Sequence, residues 1–169
     1  MEYVFRQSVM GDLPGVWRVI CDAKRIMAEQ GRNQWTDDYP SLAGIEADIR
    51  SGDAYVLVSG GGEVAAYAYV TMKPEPVYAA IAGRWLTAGP YAVVHRLAVG
   101  AAFRGRGLAR RLMLHAEDIA RQGGAGSIRV DTNHDNAEML RLLSALSYSR
   151  CGTVSYGPRG VRMAFEKTV

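Results

Sequence analysis

Apolar positions recur along the chain in two rhythms, one strand-like and one helical. Tyr3 to Gln7 reads as a short strand, and Leu13, Val16, Trp17, Ile20 and Met27 then form a helical stripe running up to Gly31. Asp12 is the expected cap of that helix, with Pro14 in its first turn. A loop carrying Asn33, Gln34, Trp35, Tyr39 and Pro40 follows, and Ser41 is placed to cap a second helix bearing Ile45 and Ile49 and ending near Gly52. Asp53 to Ser59 and Glu63 to Met72 are strand-like runs joined by Gly60, Gly61 and Gly62, a hairpin signal. Lys73 to Pro90 is irregular and reads as a long loop with a turn of helix around Tyr78 to Ile81.

Tyr91 to Val99 is the next strand. Leu108, Ala109, Leu112, Met113, Ala116, Ile119 and Ala120 then recur at helical spacing up to Gly123 and Gly124. Ser127 to Thr132 predicts a strand and Asn136 to Leu146 a helix. Arg150 to Tyr156 and Val161 to Lys167 predict a closing hairpin that turns at Gly157, Pro158 and Gly160. The order is β-α-α-β-β-β-α-β-α-β-β, without linker, repeat or low-complexity stretch. One mixed α/β domain over residues 1–169 is the expectation.

Composition narrows this only slightly. Hydrophobic residues make up 49% and charged residues 22% of the 169, the balance of a soluble globule. The apolar runs are strand-sized, Met1 leads into no basic-then-apolar segment, and Cys21 and Cys151 share no metal or redox spacing. A cytoplasmic protein with two free thiols and no membrane partner is expected. The net charge of +3 is too mild to imply nucleic acid. It is unevenly spread, however, with Arg104, Arg106, Arg110 and Arg111 in one short stretch and Asp37, Asp38, Glu46 and Asp48 in another. An anion at the first and a cation at the second is one reading; two solvated faces is the other.

The chemistry concentrates in His95-Arg-Leu-Ala-Val-Gly-Ala-Ala-Phe-Arg-Gly-Arg-Gly-Leu-Ala109. A strand runs into a glycine-bearing turn, and the turn opens a helix whose unpaired N–H groups and positive dipole end suit a phosphate. A dinucleotide fingerprint starting at Gly105 would need a small residue at Arg110, and a P-loop would need Lys-Ser/Thr after its last glycine. Neither fits. Arg/Gln-x-x-Gly-x-Gly/Ala does fit, as Arg104-Gly-Arg-Gly107-Leu-Ala109.

This segment resembles the acetyl-CoA-binding motif of the GNAT N-acetyltransferase superfamily, and the order of elements from Tyr3 to Lys167 resembles it as well. A closer likeness is to a bacterial branch of unassigned substrate, through Gln34-Trp35 and Tyr39-Pro40, His95-Arg96, and Asp131-Thr132 with Asp135-Asn136. The resemblance implies a GNAT fold whose fourth and fifth predicted strands are parallel and splayed. It implies acetyl-CoA as co-substrate, held by the backbone of Leu97, Ala98 and Val99, by Arg104, Gly105, Arg106, Gly107, Leu108 and Ala109, and from the other side by Asn136. Acetyl would pass to a primary amine by direct attack in a ternary complex.

An alkyl ammonium must lose its proton before it attacks, so a base is required. His95 is the candidate, because strand alternation sets it on the face of Leu97 and Val99, in a place similar to that of a histidine relaying the amine proton in one member of the superfamily. The alternative is a hydrogen-bonded strand histidine. The superfamily's acidic tyrosine is replaced: setting Ser147-Tyr148 on its Gly-Phe puts Leu143 at that position. Tyr39, Tyr78 or Cys151 then donates the proton, or the thiolate leaves unaided. Trp35, Tyr39 and Trp85 are the candidate acceptor contacts, with coverage of a core edge as the other reading. No His/Cys cluster has metal spacing, so no metal is expected. The expected partner is a small-molecule or peptide amine, and a homodimer is compatible. A non-catalytic acyl-CoA sensor on the same fold is the alternative function.

Overall fold

The computed structural model describes residues 1–169. Along the chain run β1 (Tyr3–Gln7), α1 (Leu13–Glu29), α2 (Leu42–Ser51), β2 (Ala54–Ser59), β3 (Val64–Thr71), β4 (Ala82–Gly83), β5 (Tyr91–Val99), α3 (Leu108–Gln122), β6 (Ser127–Thr132), α4 (Ala137–Ala145), β7 (Ser149–Ser155) and β8 (Val161–Thr168). This is the expected order with one insertion, the two-residue β4. The strands are of mixed direction: β5 and β6 are parallel, while β1–β2, β2–β3, β4–β7, β6–β8 and β7–β8 are antiparallel. The chain divides into two compact units, each made of two chain segments.

The first unit comprises Met1–Val70 and His95–Ala116. Its core gathers Val16, Val19 and Ile20 of α1, Ile45 and Ile49 of α2, and Ala54, Val56, Val64, Tyr67 and Ala98 from the strands. The helical stripe read along α1 therefore faces inward. Ser41 caps α2 as expected, its Oγ accepting the Gly44 N–H at 3.0 Å. Asp12 does not cap α1. Its carboxylate accepts the Val9 N–H and takes a bidentate pair from Arg6 at 2.7 and 2.8 Å, so a closer cation draws it away from the helix.

The second unit comprises Thr71–Val94 and Glu117–Val169, with strands in the order β5-β6-β8-β7-β4. The parallel ladder joins Tyr91, Ala92 and Val93 to Ser127, Ile128 and Arg129, and is shorter than either strand. Tyr78, Val93, Val154 and Ala164 form a core, covered by Val77, Ile81, Trp85, Tyr91 and Tyr156. The irregular segment is tied down at several points. A 3-10 turn spans Pro76–Ala80, and β4 follows because two glycines meet: a Cβ on Gly83 would lie 2.2 Å from the Cys151 carbonyl oxygen, and one on Gly152 2.2 Å from that of Ala82. Only backbones without side chains can pair that closely. Further along, the N–H groups of Leu86 and Thr87 donate to Glu166, which is itself paired with Arg129 at 2.8 Å in a buried bridge.

Candidate active site

The turn between β5 and α3 is built rigidly. Gly100 N–H donates to Ala65 O at 2.8 Å, Ala101 N–H to the Asp22 carboxylate at 2.8 Å, and the buried Phe103 ring meets Tyr3 edge-on. Gly105 and Gly107 then adopt φ of +75° and +72°, and a Cβ at either would meet no heavy atom within 4 Å. Glycine is thus required there by backbone conformation, while the outer side of the turn stays open to a ligand. The first bond of α3 is Arg111 N–H to Gly107 O at 3.1 Å, so the Leu108, Ala109 and Arg110 N–H groups precede the helical ladder. Arg104, Arg106 and Arg110 are exposed beside it. Arg106 also reaches the Tyr3 hydroxyl at 3.3 Å, and Arg111 turns back onto the Tyr3 carbonyl.

Upstream, β5 is not a regular pleat. Arg96 has φ +53°, in the left-handed region that a side chain adopts at a cost of about 1–2 kcal/mol. The alternation argument that set His95 on the face of Leu97 and Val99 therefore does not run through Arg96. The two neighbours instead reach one ring: His95 stacks on Tyr69 with centroids 6.4 Å apart, and the Arg96 guanidinium lies 4.8 Å from the same centroid. Arg96 is held by a bidentate pair to Asp48 at 2.7 Å and by donation to the Tyr39 hydroxyl at 3.0 Å, while the Tyr67 hydroxyl donates to Asp48 at 2.8 Å. Asp48 and Glu46 consequently hold the chain's own cations, Arg96 and Arg50, rather than an outside one. The Tyr39-Pro40 loop and the His95-Arg96 pair, read separately in the sequence, meet in this network.

Trp35 is 8% exposed and belongs to the first unit's core. Trp85 packs in the second unit, its Nε1–H donating to Tyr78 O and its ring 4.3 Å from the Arg129 guanidinium. Asn136 caps α4, its Oδ1 accepting the Met139 N–H at 3.2 Å. Leu143 is fully buried. Tyr148 is 7% exposed, and burial pushes its phenol well above the usual range, with Glu117 adding to the rise. Burial also raises the Tyr78 phenol and the Cys151 thiol, which weakens both as acids. His134 is exposed, and His115 stacks on Phe5 at 3.9 Å. Sequence reasoning missed the partnership of Asp48 with Arg96 and the gathering of phenols on Asp131.

A strand feeding a left-handed glycine turn and an open helix start is an arrangement suited to an anionic, phosphate-bearing ligand. Comparison with known proteins narrows the class. Residues 20–148 match the model of the Acetyltransferase (GNAT) family, and the chain belongs to that family. It is 28% identical over 151 residues to streptothricin acetyltransferase of Streptomyces lavendulae, covering 88% of this chain and 70% of the relative. An acetyltransferase of the GNAT family from Streptococcus agalactiae superposes with a TM-score of 0.87 at 33% identity, over 99% of this chain and 95% of that one. The NatC complex bound to Gag peptide and CoA shares the fold, with a TM-score of 0.68 at 17% identity over 100% of this chain and 99% of that one. No helix is long and apolar enough to cross a membrane.

Proposed function

We propose that this acetyltransferase moves the acetyl group of acetyl-CoA onto a primary amine of a small molecule or peptide, in one step within a ternary complex. The observation that carries the proposal is the Arg104–Ala109 turn, where two left-handed glycines leave the start of α3 open on its outer side. Its N–H groups and the exposed Arg104, Arg106 and Arg110 suit the pyrophosphate of CoA, and the β5 backbone at Leu97, Ala98 and Val99 suits its pantetheine arm.

The amine nitrogen attacks the thioester carbonyl, a C–N bond forms, the C–S bond breaks, and CoA leaves as thiolate. His95, half-buried and within reach of solvent, takes the ammonium proton beforehand. A strand N–H near Leu97 stabilises the oxyanion. Of the groups that could stand in for the tyrosine replaced by Leu143, Tyr78 and Cys151 are both shifted upward by burial and so are weakened as acids. The thiolate, with a thiol pKa of ~8.5, leaves without a side-chain acid, and the proton that the nitrogen sheds as the amide forms passes to it through solvent. Among the aromatic candidates, Tyr39 contacts the acceptor, while Trp35 and Trp85 serve packing.

The test pairs binding with turnover. Acetyl-CoA should raise the melting temperature of the wild type, and Gly107→Val should remove that shift while the far-UV spectrum stays native. A thiol-release assay over a panel of amines should then give turnover. An unchanged acetyl-CoA shift in Gly107→Val would mean that the turn is not the pyrophosphate cradle.

A further inference from the structure

His95 and Arg96 are consecutive residues, and in a regular strand consecutive side chains stand on opposite faces of the sheet. Here both reach the ring of Tyr69 on the neighbouring strand β3. His95 stacks on it with centroids 6.4 Å apart, and the Arg96 guanidinium lies 4.8 Å from its centroid. The left-handed conformation of Arg96, at φ +53°, is what allows this. An arginine keeps such a conformation only where its surroundings over-determine it, and strain of this kind gathers where geometry serves function.

The surroundings supply the bonds. Asp48, near the end of α2, accepts from Nε and Nη2 of Arg96, and the Tyr39 hydroxyl accepts from Nη1. Asp48 is held in turn by Tyr67, whose phenol is pushed well above its usual range by burial and by Asp48, so it stays a donor. Tyr67 pairs in register with Val56 of β2 and Tyr69 with Ala54, so the two tyrosines share one face of the sheet. One fixes the carboxylate through its hydroxyl, and the next offers its ring to the guanidinium and the imidazole. Every residue of this assembly belongs to the first unit.

A base that takes a proton must be aimed as well as present. Side-chain torsions turn an imidazole, and a stack on a flat neighbour at an interplanar angle of 18° limits them, which sets where the ring nitrogens point. We propose that Tyr69 is a positioning residue for His95. Its ring holds the imidazole in the orientation that takes the ammonium proton, and the Asp48–Arg96 pair keeps the left-handed turn that brings ring and imidazole together. The inference rests on the reading of His95 as the base and adds the residue through which that base is aimed.

The test is a double-mutant cycle read by thiol release, with an amine that the panel shows to be accepted. Tyr69→Leu removes the flat face and keeps an apolar side chain. It should lower kcat by about tenfold to a hundredfold, with KM for acetyl-CoA and the acetyl-CoA melting shift unchanged. Tyr69→Phe, which restores the ring, should bring kcat back to within about threefold of the wild type. In a His95→Ala background, Tyr69→Leu should cost less than about twofold more, because the ring then has nothing to aim. Far-UV spectra check the fold. If Tyr69→Leu does not fold, Tyr69→Met, an adaptable chain without a flat face, carries the same expectations. Full kcat without the ring, no recovery in Tyr69→Phe, or an equal fold-loss in both backgrounds overturns the positioning role and leaves His95 as the base. Wild-type turnover in His95→Ala instead strikes the reading beneath the proposal and takes the proposal with it.

Discussion

Replacing Arg96 by methionine should be among the most damaging single changes in the first unit. Asp48 is 7% exposed and would keep only the Tyr67 hydroxyl, at 2.8 Å, in place of two guanidinium bonds at 2.7 Å. Leaving a buried charge without its partner costs about 3–5 kcal/mol, a large share of a typical domain's ~5–15 kcal/mol. With a urea slope of about 2 kcal/mol per molar, the unfolding midpoint should fall by about 2 M. The backbone adds a second signature. Methionine inherits the left-handed conformation at position 96 and its strain, whereas glycine does not. Arg96→Gly should therefore be milder than Arg96→Met by about 1 kcal/mol, although it deletes more side chain. Asp48→Asn combined with Arg96→Met should cost well under the sum of the single changes, because the unpaired charge is gone. Equilibrium urea unfolding of the wild type, Arg96→Met, Arg96→Gly, Asp48→Asn and the double variant decides the matter. A loss below about 1 kcal/mol in Arg96→Met, or full additivity in the double variant, would refute the view that the pair holds the left-handed turn of β5 at Arg96 in place.

Other consequences are simpler to state. His95→Ala should lower turnover by about 10²–10⁴-fold with acetyl-CoA affinity unchanged, as read by thiol release and thermal shift; equal turnover would make His95 structural. Leu143→Tyr should not quicken thiol release and should cost about 1–3 kcal/mol in urea unfolding, because the leucine is fully buried and the larger ring overfills its site. Asp12 is depressed from its ordinary value of 3.8, chiefly by the hydrogen bonds of Arg6, so it contributes stability above that value and loses it as the pH falls through the folded one. Unfolding free energy measured downward from about pH 5 should accordingly decline less steeply in Asp12→Asn than in the wild type.

What the sequence made legible was whatever is decided locally. The periodicities of α1, α3 and the long strands, the Ser41 cap and the glycine turn at Arg104–Ala109 all follow from residues near one another in the chain. The remainder depends on encounters at a distance. Asp48 meets Arg96 across 48 positions, and Asp131 meets Tyr78 across 53 and Tyr156 across 25. Nothing in the alternation of β5 signals that an arginine will take a left-handed conformation, so the placement of His95 by period two assumed a pleat that is not there. β4 escaped because two residues carry no pattern, and its cause lies in a glycine 69 positions on, at Gly152.

The meeting of Gly83 with Gly152 bears on how far the segment from Lys73 to Pro90 depends on covalent continuity. Arg84 is exposed and stands between two anchors, the glycine crossing on one side and the Leu86 and Thr87 amides on Glu166 on the other. A single tryptic cut after Arg84 would thus leave each new end fastened to a different strand. The nicked protein would run as two fragments on a denaturing gel and as one species on a sizing column. A stretch that looks like slack rope in the sequence is moored along its length.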